Sequence, residues 1–358
     1  MKANNIQPAL FAQKHSSRDY TKAECWGKNQ FNSSFPASLV AFMYAKDIKP
    51  IFIKTDKNNK IEHTYIDSQE LFGIDPLCDE AYYNFEAGFP PYEKFYKGER
   101  EKIDLVMMNT NTNRVLSGLE IKLTALPDNT TKNQPEDQWG TEIVMRPPTI
   151  CFLACSICAN YETLKKKEDL RRMLRNVPQI NHWEEISEVA PHYEAIRKVV
   201  YNVAKDMIKH QTPLILQPIW KTEGKLMRLA DNCLDVFVWS NLAVLKMCSS
   251  DDANISHTQI SRFQRAIIWI YLMLIDFVNY GQFDYVRIVK QHSYGTANDK
   301  AFSLPGTKSY QFLQCEELTN PRIRKDEIKN IILGGGQNFL SPERRFDAVI
   351  VNSPDLFI

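Results

Sequence analysis

Glu120 and Lys122 stand two residues apart in Gly118-Leu-Glu-Ile-Lys-Leu123, where apolar and polar side chains alternate. In a β-strand that spacing puts both on one face, with Leu119, Ile121 and Leu123 on the other. A carboxylate beside an ammonium on a rigid element suits phosphodiester hydrolysis. The acid holds a divalent cation, while the lysine positions and helps deprotonate a water and stabilises charge growing on the phosphate. Such a site needs a second acid, and Asp104 supplies it. Ile103–Met108 and Val115–Thr124 read as strands joined by Asn109-Thr-Asn-Thr-Asn113, a run of turn residues. With Asn109 opposite Asn113, Asp104 lies opposite Gly118 and shares a face with Glu120 and Lys122. Glu120 is then its diagonal neighbour, roughly 7 Å away at the backbone, and Gly118 leaves room for an ion. A slip of one residue would turn Asp104 to the wrong face.

Acid-x-Lys also occurs at Asp47-Ile-Lys49, Glu223-Gly-Lys225 and Glu327-Ile-Lys329. Only Glu120 combines strand context with an upstream acid on a short hairpin. The competing reading of the pair is a solvent-facing ion pair on an ordinary sheet.

Around these residues the chain alternates between strand and helix patterns. Ser38–Lys46 reads as a short helix, and Ile51–Lys54 and Ile61–Ile66 as a hairpin about Asp56–Lys60. Asp79–Glu86 is expected to form a short acidic helix ended by Gly88 and Pro90-Pro91. Further helices are expected at Thr149–Lys165, Lys167–Arg175, Tyr193–Lys209, Arg262–Tyr280 and Asp326–Leu333. Strands are expected at Leu214–Lys221, Leu234–Trp239, Tyr285–Lys290 and Phe346–Val351. This is an α/β pattern without repeats, read as a single unit over residues 1–358. Its catalytic core is placed at about 79–165, and elements from about 210 to 358 are assigned to DNA recognition or dimerisation.

The composition bounds partners and compartment. A net charge of +1 gives no global basic field, so any nucleic-acid surface is local. The densest basic run is Lys165, Lys166, Lys167, Arg171 and Arg172. It offers phosphate contacts, with a solvated helix face as the alternative. Arg322-Ile-Arg324-Lys325 and Arg344-Arg345 are weaker versions. The first residues carry no signal-peptide pattern, Ala266–Val278 is too short to span a bilayer, and the eight cysteines suit reduced thiols in a cytoplasmic protein. Cys151, Cys155 and Cys158 match the spacing with which radical S-adenosylmethionine enzymes hold an iron–sulfur cluster. Their apolar surroundings favour a core helix. Gly334-Gly-Gly336 follows a helix and lacks the Lys-Ser/Thr of a P-loop.

Asp104 on one strand with Glu120-Ile-Lys122 on the next resembles the PD-(D/E)XK nuclease superfamily, although Ile103 stands where proline is usual. Asn84-Phe-Glu-Ala-Gly-Phe-Pro-Pro91, Arg100-Glu-Lys-Ile-Asp104 and Glu120-Ile-Lys-Leu-Thr-Ala-Leu-Pro-Asp128 together resemble the HindVP-type type II restriction endonucleases. That resemblance implies a restriction-endonuclease-like mixed sheet flanked by helices, with additional C-terminal α/β elements. It also implies a homodimer cutting double-stranded DNA at a short palindrome of the form GRCGYC, with Mg²⁺ as cofactor. A methyltransferase of the same specificity would protect host DNA. Asp104, Glu120 and the main-chain carbonyl of Ile121 would ligate the metal, with Glu86 as a further candidate acid from an upstream helix and an exposed helix acid as its alternative. Two rivals stay open: a radical S-adenosylmethionine enzyme, marked by iron and brown colour, and a catalytically silent DNA-binding module.

Overall fold

The computed structural model describes residues 28–99, 101–122, 124–126, 142–223, 226–227, 232–249, 260–295, 302–305, 322–324 and 327. The chain opens with α1 (Lys28–Ala45), the strands β1 (Ile51–Thr55) and β2 (Ile61–Tyr65), α2 (Ser68–Phe72), β3 (Ala81–Gly88) and α3 (Pro90–Glu93). Next come β4 (Lys102–Asn109), β5 (Arg114–Ile121), β6 (Thr124–Leu126) and β7 (Glu142–Met145). A helical run follows: α4 (Pro147–Asn160), α5 (Leu164–Leu174), α6 (Ile186–Val189) and α7 (Tyr193–Asp206). The remainder holds β8 (Pro213–Glu223), β9 (Leu226–Met227), β10 (Asn232–Ser240), α8 (Asn241–Ser249), α9 (Arg262–Tyr280), α10 (Tyr285–Gln291), β11 (Phe302–Pro305) and β12 (Ile323–Arg324). Apart from Glu327, the expected helix Asp326–Leu333 lies outside the described residues, as do the glycine run at 334–336, Arg344-Arg345 and the strand Phe346–Val351.

A mixed sheet in the order β2-β1-β10-β8-β5-β4-β3 is the centre of the fold. β1 runs parallel to β10 and β5 parallel to β8, while the remaining neighbours on this path are antiparallel. Alternate residues face opposite layers. Ile53, Trp239, Ile215 and Val106 pack under the larger helical layer that includes α4, α7, α8 and α9. Phe52, Val238, Leu216, Leu105 and Leu119 pack against α1 and α2. The expected mixed α/β sheet with helices on both faces is therefore present. Its C-terminal half supplies β8 and β10 in the middle of the sheet.

Local chemistry sets the elements that frame the site. Pro147 and Pro148 open α4, where their missing N–H groups cost nothing. Buried residues run along α4 from Thr149 to Cys158 without a polar face, as a helix enclosed on all sides requires. Cys151, Cys155 and Cys158 lie here fully buried, with burial pushing the Cys155 and Cys158 thiols far up, so they are core side chains. On α9, Ser261 and Gln264 form a capping box, and Gly281 closes the helix at φ 80°.

Two expected elements are corrected. Asp79–Glu86 is not an acidic helix: residues 81–88 form β3 beside β4. Burial of Ala81 and Tyr83 around exposed Tyr82 gives the period of two that tertiary pairing selects. Tyr285–Lys290 is helix rather than strand. Asp284 caps it by accepting from the Arg287 N–H at 2.9 Å, and buried Tyr285, Ile288 and Val289 follow i, i+3, i+4.

Candidate active site

Asn109 pairs with Arg114, not Asn113, and a bulge between Met107 and Met108 adds a second offset. Beyond the bulge, Val106 faces Gly118 and Leu105 faces Leu119. Continued by one residue, this register brings Asp104 level with Glu120 instead of Gly118. Two offsets of one restore the parity, so Asp104 keeps its face although the expected register is wrong. Gly118 does not leave room for an ion. It packs under Phe89, whose Cδ2 would lie 2.7 Å from any Cβ placed there.

The neighbouring strand adds a third acid to the same row. Phe85 pairs with Leu105 and Ala87 with Ile103, which leaves Glu86 level with Asp104. Glu86 adopts φ 50°, a left-handed backbone rarely tolerated by a side-chain-bearing residue and often found at functional sites. Three carboxyl groups thus sit on adjacent strands β3, β4 and β5, and Ile215 of β8 continues the row beside Glu120.

Each group has a defined setting. The Ile121 N–H donates to Asp104 Oδ2 at 2.7 Å, tying β5 to the acid of β4. Lys122 Nζ lies 2.5 Å from Glu120 Oε1, and their side chains are only 11% and 9% exposed. The Lys122 N–H donates to the Leu216 carbonyl at 3.0 Å, so the lysine backbone is pinned by the parallel strand. From the helical layer, Thr149 Oγ1 donates to Glu120 Oε1 at 3.2 Å. Nothing local in the sequence signals Thr149, because the contact spans 29 residues and depends on where α4 docks.

Charge is out of balance in this row. Burial, followed by the nearby Glu120 carboxylate, raises Asp104 to about 7, against the opposing pull of Lys122 and the Ile121 N–H. Burial and then Glu120 also raise Glu86, which interacts with the Asp104 carboxyl. Among the described residues, no three His, Cys, Asp or Glu side chains form a ready-made metal cage. Mg²⁺ rarely needs one: one or two carboxylates, waters and substrate phosphate complete its shell. The oxygen donors of Asp104 and Glu120 fit that chemistry, and an added cation would relieve their mutual repulsion.

Several cations of the basic helix α5 already have partners within the chain. Arg171 pairs with Glu168 and donates to the Val278 carbonyl, Arg172 pairs with Asp169, and Lys167 lies over the Phe277 ring at 4.6 Å. Lys165 and Lys166 remain exposed on α5.

Comparison with known proteins gives the family of the chain. Residues 26–357 match the family described as HindVP restriction endonuclease. The type II restriction enzyme HgiDI of Herpetosiphon aurantiacus is 42% identical over 352 residues, 98% of this chain and 97% of that one. The probable type II restriction enzyme HindVP of Haemophilus influenzae is 41% identical over 356 residues, covering 99% and 96%. No solved structure matches the chain. With its sequence matched almost from end to end, the chain belongs to the HindVP restriction endonuclease family.

Proposed function

We propose that the chain is a type II site-specific deoxyribonuclease that hydrolyses phosphodiester bonds in double-stranded DNA with Mg²⁺. The observation that carries this is the row of Glu86, Asp104 and Glu120 with Lys122 against Glu120. Asp104 and Glu120 hold the metal, with the main-chain carbonyl of Ile121, and Glu86 adds an outer acid. Bound there, Mg²⁺ supplies Lewis-acid stabilisation of charge on the scissile phosphate. Lys122 positions the attacking water and takes part in removing its proton. Thr149 and the Ile121 N–H fix the orientations of Glu120 and Asp104. Attack at phosphorus with loss of the 3′ oxygen gives 5′-phosphate and 3′-hydroxyl ends.

A homodimer suits a palindromic site, because its twofold axis presents one centre to each strand. The proposed site is GRCGYC, with a methyltransferase of the same specificity protecting host DNA in the cytoplasm. The segment 79–165 acts as the catalytic core. The chain from about 210 carries recognition or dimer surfaces beside β8 and β10, and Lys165 and Lys166 offer backbone contacts. Among the described residues, no helix is long and apolar enough to cross a membrane.

Digestion of unmethylated plasmid DNA tests this reading. Wild type with Mg²⁺ is expected to give discrete fragments, lost with EDTA and in Glu120→Ala and Lys122→Ala. Intact DNA with folded wild type across metals and salt would contradict it, leaving the silent binding module.

A further inference from the structure

A cleft of roughly 390 Å³ lies between the start of α4 and α10. Its floor is apolar, built from Pro147, Pro148, Val286 and Val289, with Val286 50% exposed. Arg146 and Lys290 stand at its rim. Both are exposed, and neither side chain has an ionic or hydrogen-bond partner among the described residues. The other cation on α10, Arg287, is neutralised by Asp276 and also donates to the Gln291 side-chain oxygen. The prolines remove two helix N–H donors at this end of α4, so anion recognition falls to the two side chains.

The cleft is tied to the carboxylate row at two points. Arg146 precedes by three residues Thr149, whose hydroxyl holds Glu120, a separation of ~5 Å along the helix. Tyr285, at the other wall, donates through its hydroxyl to Glu101, which precedes Asp104 by three residues, ~10 Å along the strand.

We infer that this cleft seats the sugar–phosphate backbone of the cleaved strand a few nucleotides from the scissile bond, with Arg146 and Lys290 on phosphates and the proline–valine floor against deoxyribose. The inference rests on the nuclease reading above. Two unpartnered cations flanking an apolar floor complement alternating phosphate and sugar. Contacts of this kind set register along the duplex and carry no base information.

The test is fluorescence anisotropy of a short unmethylated duplex carrying GACGTC, and of a scrambled duplex. Ca²⁺ replaces Mg²⁺, and binding is followed over a series of salt concentrations. Each residue acts once per strand in the homodimer, so each substitution is expected to lower the magnitude of the slope of log affinity against log salt by about 1.8, and Arg146→Ala with Lys290→Ala together by about 3.6. Both duplexes should weaken in parallel, and Arg146→Lys should retain the wild-type slope. Unchanged slopes in variants of a wild type that binds and cuts DNA would overturn this inference alone. Unchanged slopes with altered oligomeric state would assign the cleft to a second copy and overturn it too. A wild type that neither binds nor cuts DNA would overturn the nuclease reading with it.

Discussion

Two buried acids on the same sheet are treated in opposite ways. Asp235 on β10 is 1% exposed and receives Arg322 in a two-pronged pair, Nε to Oδ2 at 2.9 Å and an Nη2 to Oδ1 at 2.8 Å. The Val236 N–H donates to it as well. Arg322 also donates to the Lys49 carbonyl and stacks over Tyr65, pinning the chain beside β12 to the β1–β2 edge. Burial raises Asp235, and Arg322 is the main opposing influence. Asp104 on β4 is buried among other carboxylates, and the neighbouring cation, Lys122, sits on Glu120. One acid is neutralised inside the chain, and the other is left short of a positive charge. That deficit is what a cation-binding centre requires, and perturbed acids cluster at functional sites.

The comparison breaks first at its structural arm. Arg322→Ala leaves Asp235 buried without its partner and is expected to cost ~3–5 kcal/mol, reduced by the partial exposure of Arg322. Chemical denaturation checks this, and wild-type stability would show that the pair is dispensable.

At the functional arm the sign reverses. Asp104 titrates at about 7 in the folded chain and near 3.8 when unfolded. Between those values the folded state holds more protons, so this group's contribution to stability falls as pH rises. Asp104→Asn removes the cost and should stabilise the metal-free protein above pH 7 by at most ~4 kcal/mol, read as a raised melting temperature. It should also flatten the decline between pH 4 and 7. A lower melting temperature at high pH would mean that Asp104 is a structural acid like Asp235.

The smallest effect is expected at Thr149. Thr149→Val keeps shape and deletes the hydrogen bond to Glu120, costing ~1 kcal/mol. Turnover should fall severalfold with little change in DNA affinity, and Thr149→Ser should restore it. Equal loss in the serine variant would point to packing instead.

These contrasts show what a sequence can and cannot reveal. Glu120 and Lys122 are readable because a period of two is local, and Asp104 because the hairpin is short. Its face was correct through two compensating offsets, since neither the bulge at Met107 nor the pairing of Asn109 with Arg114 leaves a sequence mark. Glu86 was readable as an acid but not as a strand residue, because the acidic run at Asp79–Glu80 imitates a helix start. Phe89 over Gly118 and Thr149 against Glu120 depend on how α3 and α4 dock. Asp235–Arg322 spans 87 residues and was equally invisible.

The most direct test sets Asp104→Asn against Asp235→Asn in cleavage of unmethylated DNA over a range of Mg²⁺ concentrations. Asp104→Asn should be folded and inactive at every concentration. Asp235→Asn should keep its cleavage below a lowered melting temperature. Cleavage by Asp104→Asn at the wild-type rate and Mg²⁺ dependence would contradict the assignment of the metal centre to this row of carboxylates.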